Sequence, residues 1–556
     1  MSIAREPVRS SGAAAQASGG TVATVVDVLA DVVVEQGVRV VFGVLGDGNL
    51  HLASALVDRG VRWVSARHES GAVAMADGWA RRTGRVGVAS VTHGPGLTNA
   101  ATSLTAARLG RTPLVLLAGD TPRTTRHHGQ DIDQAPVAVA TAGDFVPLRL
   151  PATAAEDVGL AFRRAWATPG PVVLNLPTDL QGAPAVASHR PPWSAPSAVR
   201  LAPSSHAVAM IAELLTDAEN PLLLAGRGAL EAGNELAGLA ATASAWVGTT
   251  LLARGLFRGQ PNDLDVVGGF SSPAVRDVLA DVDVVVAFGA SLNRYTTAGG
   301  RVCPDAGWVQ VDADPQAFGD ILAVEPVQAD ARLTAAAVHA RLAAAPPRAR
   351  VRRAPRDQPP PGTFTERPAT GVDPRLALQA VDAAVPTGNL VVGIGHYSGF
   401  GALLIDVGDP RGLVLPWHLG SVGQALGIAT GVAVATPDRL TVLIEGDGGV
   451  LMNPAELDTL AREQLPVLIV VLDDAAYGAE VHLLRRFGLS DELATFPRRD
   501  LAAVARGLGL RAATAVSVDE LAPALASLRP FDEPSLLHVH SDGEILHEEI
   551  FSALQG

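Results

Sequence analysis

LTVLIEGDGGVLMNPAELDTLAREQLPVLIVVLDDAAYG, from Leu440 to Gly478, holds two apolar runs separated by one helical stretch. Leu440–Ile444 and Val467–Leu472 read as strands buried in a parallel sheet, and Pro454–Glu463 reads as the helix between them. The first strand runs into Glu445-Gly446-Asp447-Gly448-Gly449, the second into Asp473-Asp474-Ala475-Ala476-Tyr477-Gly478. Two strand ends flanking one helix place Asp447 and Asp474 side by side at one sheet edge. Carboxylate oxygens there, with a backbone carbonyl from the turn, suit a hard cation such as Mg²⁺ that bridges phosphates. Gly446, Gly448 and Gly449 let backbone N–H groups approach a diphosphate at the helix start. A Gly-Asp-Gly turn alone is equally a plain strand-to-helix turn, so the whole stretch carries the argument.

Outward from it, apolar runs alternate with helical patterns along the chain, the signature of parallel α/β layers. The first block, 21–184, has strand candidates at Val40–Val44, Val86–Val91, Pro113–Leu117 and Val172–Leu176. A Pro/Ser/Ala-rich link (Ala185 to Pro203) leads to a second block, 204–345, with strands at Pro221–Ala225, Val282–Phe288 and Trp308–Val311. A Pro/Arg-rich stretch, 346–370, cannot form a core and reads as an exposed linker. The third block, 371–556, adds Leu390–Val392 and Ser535–His540 to the two strands above. Ligands in such sheets bind beyond the carboxyl ends of the strands, so residues just past these runs take priority.

A chain of 556 residues exceeds one core and suggests about three domains. Net charge is −14 with no long basic run, which argues against nucleic acid and anionic membranes as partners. Residues 1–20 are Ser/Ala/Gly-rich without an apolar core and read as a loose tail. The apolar stretches are strand-sized, far short of a bilayer span. One cysteine, Cys303, excludes an internal disulfide and fits a reducing cytoplasm. All 43 basic residues are arginine, which removes the P-loop lysine and every Schiff-base mechanism. No Gly-x-Gly-x-x-Gly follows a strand, which disfavours nicotinamide chemistry.

The Leu440–Gly478 stretch resembles the diphosphate-binding signature of thiamine-diphosphate (ThDP) enzymes of the acetolactate synthase, pyruvate decarboxylase and benzoylformate decarboxylase group. It departs at Asp474, where that family usually has asparagine; the added charge should tighten metal binding. The resemblance covers nearly the whole chain. Arg67-His68-Glu69 through Arg81, with Thr92-His93-Gly94-Pro95-Gly96-Leu97-Thr98-Asn99, resembles the segment around the activating glutamate, and Leu419-Gly420-Ser421-Val422-Gly423 the segment that wraps the cofactor. The implied architecture is a pyrimidine-binding domain, a central domain and a diphosphate-binding domain, each a parallel sheet flanked by helices. The implied metal ligands are Asp447, Asp474 and the Ala476 carbonyl, with His396 and Tyr477 also at the cofactor. The family also implies a homodimer or homotetramer with active sites between subunits.

Thiamine reacts by losing a proton from C2, and the resulting carbanion attacks a carbonyl. By resemblance, Glu69 shares a proton with the aminopyrimidine ring, a water-excluded pocket keeping it protonated enough to do so. The Gly420 carbonyl accepts the aminopyrimidine N–H, and Val422 is the apolar wedge that bends the cofactor. The implied substrate is a small 2-oxo acid, either decarboxylated through an enamine or joined to another. Asp47, in Gly46-Asp47-Gly48-Asn49, the pair His127-His128, and Glu480, 33 residues past Asp447 (480 − 447), resemble the proton-handling set of pyruvate and indolepyruvate decarboxylases. If Asp47 and Glu480 converge, repulsion should keep one of them protonated. His93 resembles a pocket histidine of benzoylformate decarboxylases. The alternative is an acetolactate synthase-like carboligase: Gln130-Asp131 and the Thr92–Gly96 loop lean that way, with Gln130 as its substrate-side glutamine. Thr178 and Leu483, where that group usually has lysine and tryptophan, oppose it. FAD, which fills the central domain of those synthases, is possible but not expected. A non-catalytic paralogue is the third reading, and the presence of Glu69 argues against it.

Overall fold

The computed structural model describes residues 23–125, 127–186, 200–319, 324–344 and 371–547. The tail, the 346–370 linker and most of the link after Ala185 lie outside the described residues. The described chain folds into three six-stranded sheets, each flanked by helices and with every ladder parallel. The first sheet runs Arg62–Ser65, Val40–Gly43, Gly87–Val91, Leu114–Asp120, Pro171–Pro177, Phe145–Pro147. The third repeats that order as Leu413–Val414, Asn389–Val392, Thr441–Gly446, Val467–Asp473, Ser535–His540, Arg511–Ala515. The central sheet is wound differently: Val324–Gln328, Gly307–Asp312, Val284–Phe288, Pro221–Ala225, Trp246–Thr249, Asp263–Val266.

Each apolar run chosen from the sequence is a strand, with ends moved by up to three residues. Six of the strands that the sequence did not mark, among them Arg62–Ser65 (RWVS) and Arg511–Ala515 (RAATA), lie at a sheet edge, where little apolar area is needed. Trp246–Thr249 is interior, but four residues including Gly248 make no recognisable run.

The winding fixes where chemistry can sit. In the first and third sheets the opening strand lies between the second and third strands, so winding reverses beside it and a crevice opens beyond the carboxyl ends. In the third sheet that point lies between Asn389–Val392 and Thr441–Gly446, in the first between Val40–Gly43 and Gly87–Val91. The Asp447 turn follows one, and Asp47 and His93 follow the other.

Two helices, Glu69–Thr83 and Ala425–Ala435, lock the first domain to the third by nearly bare backbone contact. A Cβ on Gly78 would overlap the Ile428 carbonyl, and one on Gly431 the Met75 carbonyl. Gly431→Ala is therefore expected to destabilise the fold by about 1–3 kcal/mol, seen as a lower urea midpoint at unchanged slope. Among the described residues no helix is long and apolar enough to cross a membrane.

Candidate active site

Asp447 begins the helix Asp447–Met452, and Asp474 follows the neighbouring strand. Their side chains are nearly enclosed, Asp447 being 8% exposed and the Asp474 side chain 6%. Burial, with repulsion from Asp473 and Asp474, pushes Asp447 up to about 8, and burial pushes Asp474 up to about 6. His396 Nε2 stands 3.7 Å from Asp474 Oδ2, but burial and the nearby His482 hold that imidazole down at about 4, so it is neutral at pH 7. Arg498 is engaged elsewhere, bonding the Asp473 carboxylate at 3.2 Å and its carbonyl at 3.0 Å. Two buried carboxylates without a full counter-charge, on a loop that also carries the Ala476 carbonyl, make a donor set for a hard divalent cation. These residues fit Mg²⁺.

The glycines of the turn serve a further purpose. A Cβ on Gly448 would come 2.8 Å from the Tyr477 ring, and one on Gly449 would overlap the Glu445 carboxylate. Glu445, a charge that ends an apolar strand, is a further buried carboxyl at this turn, and the sequence marks it only by that position. It is 1% exposed, accepts bonds from Tyr397 Oη at 2.9 Å and Gly446 N at 3.2 Å, and is pushed up to about 7 by burial. Its Oε2 has no partner among the described residues.

Asp473 holds the Asp474–Ala476 loop in shape. Its Oδ1 accepts the Ala475 N–H at 2.8 Å, closing a turn in which Ala475 takes a positive φ of 58°. Its Oδ2 accepts from His538 Nε2 at 2.6 Å, both residues being 1% exposed. Burial alone would raise this carboxyl, but the His538 bond and the Arg498 charge hold it below its ordinary value. His538→Leu removes a buried, charge-assisted bond and is expected to destabilise by about 2–3 kcal/mol in chemical denaturation.

In the first domain Glu69 is the opening residue of its helix, half-buried, with Oε2 accepting from Asn99 Nδ2 at 3.0 Å. His68 caps that helix by accepting the Ser70 N–H at 3.1 Å. At the crevice of the same domain, Asp47, His93 and His128 converge and line a cavity of about 610 Å³ together with Thr178. Thr92 Oγ1 donates to Asp47 Oδ1 at 3.2 Å and lies 3.2 Å from His93 Nδ1. The hydroxyl has one proton to give, so His93 donates to it from Nδ1, and Nε2 is the ring nitrogen left over. That Nε2 is buried, unbonded among the described residues, and 3.7 Å from Asp47 Oδ1.

The other expected residues are placed differently. His127 is exposed at a positive φ of 62°, outside the cluster that its half-buried neighbour His128 joins. Gln130 bonds His128 Nδ1 through its backbone N–H at 3.2 Å, and its carbonyl packs on Gly94. Glu480 lies exposed on the third-domain helix Gly478–Arg486, and within one chain no hydrogen bond or ion pair joins it to Asp47. Gly420 is exposed with φ of 74°, and Val422 is half-buried beside it.

Fold and edge together are those of an α/β enzyme organised around a diphosphate cofactor. The family model for the thiamine pyrophosphate enzyme N-terminal TPP binding domain matches residues 23–137, that for the central domain 208–338, and that for the C-terminal TPP binding domain 393–539. The acetolactate synthase isozyme 3 large subunit of Escherichia coli (strain K12) is 30% identical over 476 residues, covering 80% of this chain and 81% of that protein. The probable acetolactate synthase large subunit of Methanocaldococcus jannaschii is 28% identical over 541 residues, covering 91% and 90%. In fold, the chain matches the Rhodococcus jostii RHA1 thiamine diphosphate-dependent 4-hydroxybenzoylformate decarboxylase with a TM-score of 0.79 at 24% identity, over 94% of this chain and 99% of that one. The chain belongs to the thiamine pyrophosphate enzyme family.

Proposed function

We propose that the protein is a ThDP- and Mg²⁺-dependent enzyme that decarboxylates a 2-oxo acid, with ligation of two 2-oxo acids as the second reading. The buried, uncompensated pair Asp447 and Asp474 carries the cofactor assignment. Bound ThDP supplies a nucleophilic carbon for the substrate carbonyl and takes up the electron pair as CO₂ leaves. The chain's part is to hold the metal through Asp447, Asp474 and the Ala476 carbonyl, to seat the diphosphate against Gly446–Gly449 beside His396 and Tyr477, and to manage protons.

Conversion of a 2-oxo acid anion to an aldehyde and CO₂ consumes one proton. The Asp47–Thr92–His93 chain, with His128 beside it, supports a route for that proton, His93 Nε2 being the free end. Ligation of two 2-oxo acid anions with loss of one CO₂ also consumes one proton, so the proton balance leaves both readings open. The likeness of Asp47 and His128 to the proton-handling set of decarboxylases supports decarboxylation as the first. The acetolactate synthase relatives keep ligation as the second reading. Glu480 and Gln130 are proposed substrate-side groups, and His127 a contact on the exposed loop. In one chain Asp47 and Glu480 are open to solvent and Glu69 is only half-buried, and apolar side chains such as Met452, Tyr477 and Phe487 are exposed. That supports a homo-oligomer in which a second copy covers the site. The single buried thiol, Cys303, supports a cytoplasmic setting.

Incubating the protein with ThDP, Mg²⁺ and a panel of aliphatic and aromatic 2-oxo acids tests the choice. Aldehyde as the main product is the expected outcome; acetohydroxy acids in its place would transfer the assignment to the ligase.

A further inference from the structure

The helix that begins at Glu69 is held at its start by another domain. The N–H groups at a helix start have no partner within the helix and need one from outside. Arg67 N and His68 N both donate to Glu456 Oε1 at 3.1 Å, and Arg67 N also reaches Oε2 at 3.4 Å. Glu456 opens the third-domain helix Glu456–Glu463, nine residues past Asp447 (456 − 447), and is 0% exposed. Its Oε2 accepts from Thr459 Oγ1 at 2.7 Å. A glutamate this deep is rare unless its oxygens are used, and here they are used on the two residues that precede Glu69.

A second tie lies just beyond Glu69. Ser70 Oγ stands 2.8 Å from Ser103 Oγ and accepts from Gln424 Nε2 at 3.2 Å. Gln424 follows the Gly420–Val422 segment of the third domain by two residues. Gly71 completes the seat, because a Cβ there would overlap the Glu456 carboxylate. Glu69 therefore sits between two third-domain contacts, one at residues 67–68 and one at residue 70.

We propose that Glu456 is the positioning residue for the Glu69 carboxyl, fixing the first helical turn so that this carboxyl is aimed at the aminopyrimidine of the cofactor; the idea rests on the reading of Glu69 as the proton-sharing group. Proton transfer is steep in geometry, and a displacement of about 1 Å is enough to slow it ~100-fold. Because Glu456 follows Asp447 by one short helix, the metal edge and the aim of Glu69 belong to one mechanical unit.

The test uses the full-length protein and needs no substrate. One readout is amide hydrogen exchange of residues 65–72 without cofactor; the other is the exchange rate of the C2 hydrogen of bound ThDP, read by NMR after acid quench. Glu456→Leu is expected to speed exchange at amides 67 and 68 and to slow C2 exchange about 10- to 100-fold, while ThDP affinity stays within about threefold. Glu456→Gln can accept the same two N–H bonds and is expected to keep C2 exchange within about fivefold of the parent. Gly71→Ala should repeat the Leu phenotype by displacing the carboxylate, and it carries the test if Glu456→Leu does not fold. Faster amides with unchanged C2 exchange would overturn the positioning role, as would a Gln variant as slow as Leu. Glu69→Gln run alongside separates the two ideas: unchanged C2 exchange there sinks the reading of Glu69 itself.

Discussion

Glu69→Gln is expected to lower kcat by roughly 10²–10⁴-fold while leaving ThDP bound, the range that a positioned proton-transfer group supplies. The side chain keeps its shape, and its amide oxygen can still accept the Asn99 Nδ2–H bond that orients Glu69 now. What the amide cannot do is give up and recover a proton. Cofactor anchoring should be unaffected, since the proposed diphosphate and metal contacts all lie in the third domain, on strand ends that do not include residue 69. Steady-state rates with the best 2-oxo acid, alongside ThDP titration by fluorescence quenching, check both halves. A loss of ThDP binding with kcat preserved at saturating cofactor would reverse the assigned role.

Asp447→Asn should have two effects of opposite sign. With ThDP and Mg²⁺ present, the loss of a proposed metal ligand is expected to weaken their binding by about 100-fold or more, since changes to groups that merely hydrogen-bond a metal ligand already cost about 10- to 100-fold. Without them, the same substitution should stabilise the protein at pH 7–8. The sign follows from linkage: burial and two neighbouring carboxylates push Asp447 up to about 8 from the ordinary aspartate value of 3.8, so the folded cofactor-free state binds more protons than the unfolded state between those values. Its stability therefore falls as pH rises from about 4 to about 8, and removing the charge lifts that penalty. Metal binding needs the ionised form, so Mg²⁺ affinity of the parent should rise from pH 6 to pH 8, by up to about tenfold per pH unit for each proton released. Thermal unfolding at pH 6 and pH 8, with and without ThDP and Mg²⁺, reads all of this in one series. A cofactor-free Tm unchanged by the substitution at pH 8 would show that the buried charge carries no penalty.

How far the site could be read from the chain depends on the distance over which each part is built. The acidic edge was legible because a parallel strand–helix–strand unit is local: once Leu440–Ile444 and Val467–Leu472 are strands, Asp447 and Asp474 must end together. The position of Glu69 was legible through its motif, but the cap on its helix was not. Glu456 lies in a segment whose charges, Glu456, Asp458, Arg462 and Glu463, resemble a solvated helix face, and only the docking of two domains buries it. Glu445 was passed over for the same reason, as a turn residue whose burial depends on Tyr397 and Gly393 arriving from elsewhere.

His127 and His128 show the limit most plainly. Adjacent in sequence and chemically identical, they take opposite fates because the backbone at 127 turns through a positive φ, leaving one ring outside and bringing the other to within 5.1 Å of His93. The sequence by itself determined the three α/β layers, the acidic carboxyl-end edge and the cofactor class, because periodicity and strand-end motifs act over a few residues. Which of two histidines joins Asp47, and what steadies Glu69, was decided only by tertiary structure, because those contacts join residues tens to hundreds of positions apart, whose meeting is set by packing between sheets and domains.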